Sequence, residues 1–472
     1  MRRLLVLALL AALPAAAQQA PAPATPQPPA TPPKEAPATP APASDPKAPA
    51  STPATPAAKA AADVKAEEDL NKVPLDDIRR FVTVYNAVKQ AYVEPVTDQK
   101  LMKAAIHGLL LDLDPHSTYF DKTDAEDFDE NARGAYEGIG VELQRQKDGT
   151  LKVVSAIDDT PAAKAGLKSG DIIVAMDGKP FGPDAGDTSA PLRGPAGSKV
   201  VLTVVRKGAK KPLELTVVRD TIHVTSVRSR MLEPGFGYVR VAAFQADTAA
   251  DFEKALDKLT EGGALRGLVL DLRSNPGGLL TSAVQIADDL LDKGGIVSTR
   301  GRIQISDAQF AATPGDRLKG APLVVLVDGG SASASEVLAG ALKDNGRARI
   351  VGSRTFGKGS VQTVLPLDNG DSVKLTTARY FTPSGKSIQA LGIVPDVPFS
   401  APRSADDTRL LLSEASLPGH LRGDADDNGE AGDVLDGPVY IQQALAEVKR
   451  MAGVPVAAAP AKPAAKPAPK KK

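Results

Sequence analysis

The run Gly267-Leu268-Val269-Leu270-Asp271-Leu272 constrains the fold of this chain more than any other. A mostly apolar run of that length suits a strand covered on both faces, as in the parallel sheets of α/β folds. The flanking sequence keeps the same rhythm. Gly237 to Val241 reads as a strand and Asp251 to Leu259 as a helix with Phe252, Ala255, Leu256 and Leu259 on one face. Leu279 to Leu291 reads as helical, Pro322 to Val327 as a strand, and a helix is expected from Ala334. Strands alternating with helices predict an α/β domain with crossover connections over residues 222–400. Asn369-Gly370, between Val364–Leu367 and Val373–Thr376, predicts a two-residue hairpin. One more helix, Val439 to Met451, is expected in a C-terminal region over 401–453.

The two ends differ in composition. Met1-Arg2-Arg3, the apolar stretch from Leu4 and the small residues Ala15 to Ala17 read as a secretory signal over residues 1–17. The alternative is an uncleaved anchor, although the apolar run is short for a span. Residues 18–63 are Ala/Pro-rich and offer too little apolar surface to offset the entropy of ordering, so a linker is expected. Residues 454–472 form an Ala/Pro/Lys-rich tail. The chain has no Cys, which rules out a lipid-modified N-terminus, and the location expected is exported, in a periplasm or cell envelope. Lys plus Arg and Asp plus Glu both number 57, so no net charge favours nucleic acid or a membrane surface. Residues 64–133 are expected to be an N-terminal helical region, with helices over Asp76 to Tyr92 and Asp98 to Leu113.

Over residues 134–221 the signals become short strands: Gly138 to Leu143, Leu151 to Ala156 and Asp171 to Met176. Between the last two lies Thr160 to Asp171, a short helix closed by glycine turns, and Leu192-Arg193-Gly194-Pro195-Ala196-Gly197 follows downstream. This order resembles a bacterial PDZ domain. The resemblance implies that the loop carrying Ile139, Gly140 and Val141 offers backbone N–H groups to a peptide's terminal carboxylate, the peptide adding as a strand. A small β-barrel without peptide binding is the competing reading.

A serine needs a neighbouring base to become a nucleophile. Ser333 stands at the start of a helix with Glu336 three residues on, which matches a capping box, a structural role compatible with a catalytic one. Lys358 sits between two glycines immediately before a strand. A solvated lysine has a pKa of about 10.4, so burial must lower it by about three units before the amine can act as a base. Gln362, two strand repeats further on, is expected on the same face and could orient the amine without adding charge. Arg273 to Gly278 follows the buried strand and can aim backbone N–H groups at a carbonyl oxygen. Each of these motifs alone is as well read as a cap, an exposed loop lysine or an ordinary turn.

Together, Asp271 to Leu280, Gly330 to Glu336, Gly357 to Gln362 and Ala378-Arg379-Tyr380-Phe381-Thr382-Pro383-Ser384-Gly385 resemble the carboxy-terminal processing (tail-specific) serine peptidases over roughly residues 75 to 400. The resemblance implies a crotonase-like α/β catalytic domain of βα repeats with an inserted β-rich PDZ domain and an N-terminal helical unit. It makes Ser333 the nucleophile, Lys358 the general base and Gln362 the residue that orients it. The oxyanion hole would be the N–H of Ala334 with that of Gly277 or Gly278. It also implies an acyl-enzyme and C-terminal tails of protein substrates as partners, while leaving open an adaptor protein and a homo-oligomer. Hydrolysis with no cofactor or metal is expected because zinc-protease and phosphate-loop motifs are absent. A non-catalytic PDZ-containing peptide-binding scaffold is the rival.

Other motifs carry less. Gly370-Asp371-Ser372 is similar to a trypsin-like nucleophile segment but lacks the following glycines. Asp424 to Gly429 begins like a calcium loop, yet Leu435 stands where a bidentate glutamate is needed. His107 and His116 are expected to pack or cap, and no zinc-protease or phosphate-loop motif occurs.

Overall fold

The computed structural model describes residues 73–181, 192–303, 306–402, 412–424 and 431–455. The expected signal, linker, most of the tail and residues 425–430 of the acidic loop lie outside them. The chain divides into two compact units, residues 1–83 and 84–472. The described part of the first is the start of helix α1 (Leu75–Ala91), where Asp76 and Asp77 occupy the first turn and pair with Arg79 and Arg80. No described helix is long and apolar enough to cross a membrane.

The second unit continues with α2 (Asp98–Leu111), capped by the Thr97 side chain on the Lys100 N–H. Strand β1 (Thr118–Phe120) and helix α3 (Lys122–Arg133) follow. Neither is anticipated by the sequence. Strand β1 is short and pairs far along the chain, and α3 is polar without a buried residue, so neither carries a periodic apolar signal.

Strand β2 (Ala135–Gly138) opens the inserted domain, built from β3 (Val141–Arg145), β4 (Leu151–Ala156), helix α4 (Pro161–Lys164), β5 (Ile172–Met176), β6 (Lys179–Pro180), β7 (Lys199–Val205) and β8 (Leu213–Val218). The strands order as β3-β4-β5-β7-β8, with β6 on β5, around Ile139, Val153, Ile173, Val200, Leu202 and Val204. Strand β9 (Asp220–His223) then returns antiparallel to β2, from Ala135↔His223 to Gly138↔Asp220.

Next come β10 (Val227–Glu233), β11 (Phe236–Val241), α5 (Thr248–Thr260), β12 (Gly267–Asp271), α6 (Leu280–Leu290), β13 (Gly295–Gly301), β14 (Ala308–Ala311), β15 (Leu323–Val327), α7 (Ala334–Asp344) and β16 (Arg349–Gly352). Strands β17 (Ser360–Pro366), β18 (Ser372–Phe381) and β19 (Val397–Pro398) and helix α8 (Val439–Met451) complete the unit. One sheet orders β10-β11-β12-β15-β16-β19 and is parallel from β11 onward. A second orders β1-β18-β13-β14 with β17 on β18.

The apolar run is explained by layers on both sides of the first sheet. Leu268 and Leu270 face Phe252, Leu256 and Ile286, while Val269, Val324 and Leu326 face Tyr440, Leu445 and Val448 of α8. Every residue of β12 and β15 is buried, at roughly 1.5–3 kcal/mol for each large apolar side chain. The region beyond residue 400 thus contributes a layer of this core.

The β17–β18 connection is longer than the two-residue hairpin that Asn369-Gly370 predicts. Pro366 pairs with Ser372, and between them the Leu367 N–H donates to Asp371 O while Gly370 takes φ 87°. The Asn369 side-chain Oδ1 accepts from the Asp371 N–H, so local side-chain bonding widens the turn.

Candidate active site

Strand β15 ends at Val327, and a tight elbow carries the chain to Ser333 at the start of α7. The buried Asp328 carboxylate accepts N–H groups from Ser274, Gly330 and Leu435 and so fixes the elbow. Ser333 adopts φ 53° and ψ −113°, whereas an ordinary N-cap is extended. Such a conformation costs about 1–3 kcal/mol and persists only where its surroundings enforce it. The capping partner expected at Glu336 is present: its Oε2 accepts the Ser333 N–H at 2.7 Å.

Glu336 does more than cap. It is 0 % exposed, and its two oxygens also take the hydroxyl of Thr355 and the N–H groups of Gly357 and Lys358. Burial pushes its carboxyl up to about 7, against the pull of those donors. One side chain therefore ties the backbone of Ser333 to that of Lys358.

Ser333, Lys358, Gln362, Gly277 and Gly278 all line one cavity of about 540 Å³. A groove of about 530 Å³ beside α8 holds neither a serine nor a lysine. The Lys358 amine has no hydrogen-bond or ion-pair partner among the described residues. Burial, and next repulsion from Lys374, lower its pKa below the ordinary lysine value, while Glu414, Glu336 and Asp114 oppose the shift. No hydrogen bond joins it to the Ser333 hydroxyl. Gln362 follows a β-bulge in β17 after Val361, and both side chains reach the cavity. Its amide nitrogen donates to Ser360 Oγ at 3.0 Å and Thr376 Oγ1 at 3.2 Å, which orients the amide.

The turn after β12 lies against this elbow. Asn275 is fully buried; its carbonyl oxygen accepts from the Ala332 N–H and the Ser335 hydroxyl, and its Oδ1 takes the Gly277 N–H. At Gly277 a Cβ would stand 2.9 Å from Ser333 Cβ, which measures how closely the two segments approach. The Gly277 N–H is thus engaged. Those of Gly278 and Ala334 have no acceptor among the described residues.

Several cavity residues carry no local sequence signal. Tyr380 is buried beside Ser333, and burial pushes its hydroxyl up to about 12. Half-buried Lys374 holds its ammonium 5.3 Å from the Phe120 ring centre and 5.7 Å from that of Phe128. Behind Gln362, Asp114 accepts from Ser117 Oγ and Thr376 Oγ1. Behind the lysine loop, fully buried Glu414 bonds His116 Nε2 and Gln389 Nε2, each at 2.8 Å, and Gln389 Oε1 takes the Gly359 N–H. His116 thus hydrogen-bonds a buried carboxylate and does not line the cavity.

In the inserted domain, Gly138 to Val141 lines a second cavity of about 270 Å³. The Ile139 side chain is in the domain core, but the N–H groups of Ile139 and Gly140 have no acceptor among the described residues. Asp371 of the trypsin-like segment bonds Tyr119, away from the cavity.

Residues 235–399 match the model of peptidase family S41, residues 138–217 a PDZ domain, and residues 49–124 the activating protease CtpB N-terminal domain. A carboxy-terminal-processing protease of Bartonella bacilliformis is 44% identical over 75% of this chain and 83% of its own length. The carboxy-terminal processing protease CtpA of Bacillus subtilis is 38% identical over 67% of this chain and 68% of its own. Among solved structures, a photosystem II D1 C-terminal processing protease is 34% identical over 68% of this chain and 92% of its own, with a TM-score of 0.40.

Proposed function

The chain belongs to the carboxy-terminal processing proteases of peptidase family S41, with a PDZ domain, and from that premise we propose that it cleaves proteins near their C-terminal tails through a Ser333/Lys358 dyad. The observation that carries this reading is the strained Ser333, which shares a cavity with a desolvated amine and with Gly278, whose N–H is unengaged. A scaffold would have no use for that strain.

In the proposed step the neutral Lys358 amine takes the Ser333 hydroxyl proton as Oγ attacks the scissile carbonyl carbon. The resulting oxyanion accepts from the N–H groups of Gly278 and Ala334, because the Gly277 N–H is engaged by Asn275. The Lys358 ammonium then protonates the leaving amine, and water hydrolyses the acyl-enzyme by the same base. The Gln362 side-chain oxygen is left to accept from Lys358, its nitrogen being engaged elsewhere. The dyad hydrogen bond forms when substrate fills the cavity, since catalytic contacts tighten in the bound complex.

The loop at Ile139 to Val141 is proposed to capture the tail carboxylate and gate the cavity. Export to a periplasm or envelope rests on residues 1–17. The crotonase-like description rests on β11, β12, β15 and β16 lying side by side in chain order. The test is cleavage of a tailed substrate by the wild-type chain and by Ser333→Ala and Lys358→Ala. Each variant should lose about three orders of magnitude or more in turnover. Unaltered turnover in either refutes the dyad.

A further inference from the structure

The cavity holds two lysines, and the dyad gives work to one. Lys374 lies on β18 between Thr118 of β1 and Val364 of β17, and its side chain reaches the same cavity as Ser333 and Lys358. It makes no ion pair among the described residues. Its ammonium instead faces the rings of Phe120 and Phe128. An aromatic face attracts a cation and does nothing for a neutral amine, so the two rings oppose the loss of charge that burial promotes at Lys374.

We propose that Lys374 is a positioning residue of this site: its ammonium, held over two aromatic rings inside the cavity, acts by repulsion on Lys358 so that the amine facing Ser333 gives up its proton. The inference rests on the dyad reading and deepens it. Two ammonium groups partly withdrawn from water repel more strongly than in bulk water, and a neighbouring cation is an established route to an unprotonated lysine.

The other charged and titratable groups around Lys358 do not replace this effect. Glu336 on α7, Glu414 from the C-terminal region and Asp114 from the segment after α2 all favour its protonated form. Tyr380 from β18 is neutral at working pH. Burial depresses both lysines, but Lys374 alone has the aromatic faces, so the two environments push the pair apart.

The test is the pH profile of kcat/KM on a tailed peptide, measured on the full chain. Lys374→Met should move the acid limb up by about one pH unit, roughly a tenfold loss below the limb, with activity recovering at alkaline pH to within a few-fold of wild type. Lys374→Arg, which keeps the charge, should leave the limb in place. Because the chain has no Cys, Lys374→Cys supplies a unique thiol, and this pair of adducts decides the matter even if the Met variant fails to fold. Aminoethylation, which restores a cation, should return the limb to its wild-type position, whereas carbamidomethylation should not. An unmoved limb in Lys374→Met, equal limbs for the two cysteine adducts, or a folded Lys374→Met variant dead at every pH would overturn the proposal. The dyad is judged separately: full activity of Lys358→Ala sinks it, whereas a dead Lys358→Ala beside an unmoved Lys374→Met limb sinks the role of Lys374 alone.

Discussion

At the residue scale, the chemistry proposed for Lys358 is held at the expense of stability. Its pKa is depressed in the folded chain, so between the folded value and the ordinary one the unfolded state binds more protons. The penalty is complete below the folded value and vanishes as pH rises to about 10, where a free lysine also loses its charge. Lys358→Met should therefore raise the thermal midpoint near neutral pH by roughly 2 °C or more while abolishing turnover. The gain should narrow steadily as pH climbs, and thermal melts across a pH series read it directly. A gap that widens with pH would mean that the folded state favours the ammonium. Ser333, Lys358 and Gln362 were legible in the sequence because each sits in a short local motif beside glycines. Glu414, Gln389, Asp114 and Lys374 were not. Each acts across long sequence separations, and a buried polar side chain with distant partners leaves no periodic trace.

At the element scale, the strand-to-helix turns carry the site, and their glycines divide into two kinds. Gly278 takes φ 135°, and a Cβ there would stand 2.1 Å from Phe244 O, the atom that accepts the Leu279 N–H. Nothing flexible can yield. Gly278→Ala should cost on the order of 2 kcal/mol or more and, by displacing the proposed oxyanion donor, lower kcat by roughly 10²–10³-fold. Gly370 in the β17–β18 turn is the contrast. A Cβ there meets only Lys122 Cδ at 3.8 Å, so Gly370→Ala bears only the left-handed backbone, about 1–2 kcal/mol, and leaves kcat alone. Melting curves and kcat for the two variants separate the cases, and equal kcat in both would remove Gly278 from the oxyanion hole. Strand β12 was readable because it is apolar and buried throughout, and α8 because its buried residues recur at helical spacing. The β17–β18 turn was misread because side-chain bonds of Asn369 and Asp371 compete with the backbone pairing that an Asn-Gly pair alone would favour.

At the scale of the whole molecule, the inserted domain is attached in a way that makes it separable. Its apolar core shares no residue with the two cores around the parallel sheet. Chain enters and leaves through β2 and β9, which pair directly at Gly138↔Asp220. The ion pairs of Arg193 with Asp127 and Glu130 of α3 join the domain to the rest of the unit. With Arg193 and Asp127 both about half exposed, such pairs are worth about 0–1 kcal/mol each, far less than a core. Replacing residues 139–219 by an Asn-Gly turn should therefore close a β2–β9 hairpin and leave the catalytic layers folded. The excised protein should keep the cavity and still hydrolyse short unstructured peptides, because every proposed catalytic group lies outside the excised span. It should lose discrimination between substrates that differ only in their last residues, because the free N–H groups at Ile139 and Gly140 go with the domain. Calorimetry reports the first expectation, and competition between peptides with a free and an amidated C-terminus reports the second. If the excised protein kept its preference for a free carboxylate, tail recognition would have to reside in the 540 Å³ cavity itself, and the division of labour between the two domains would fall.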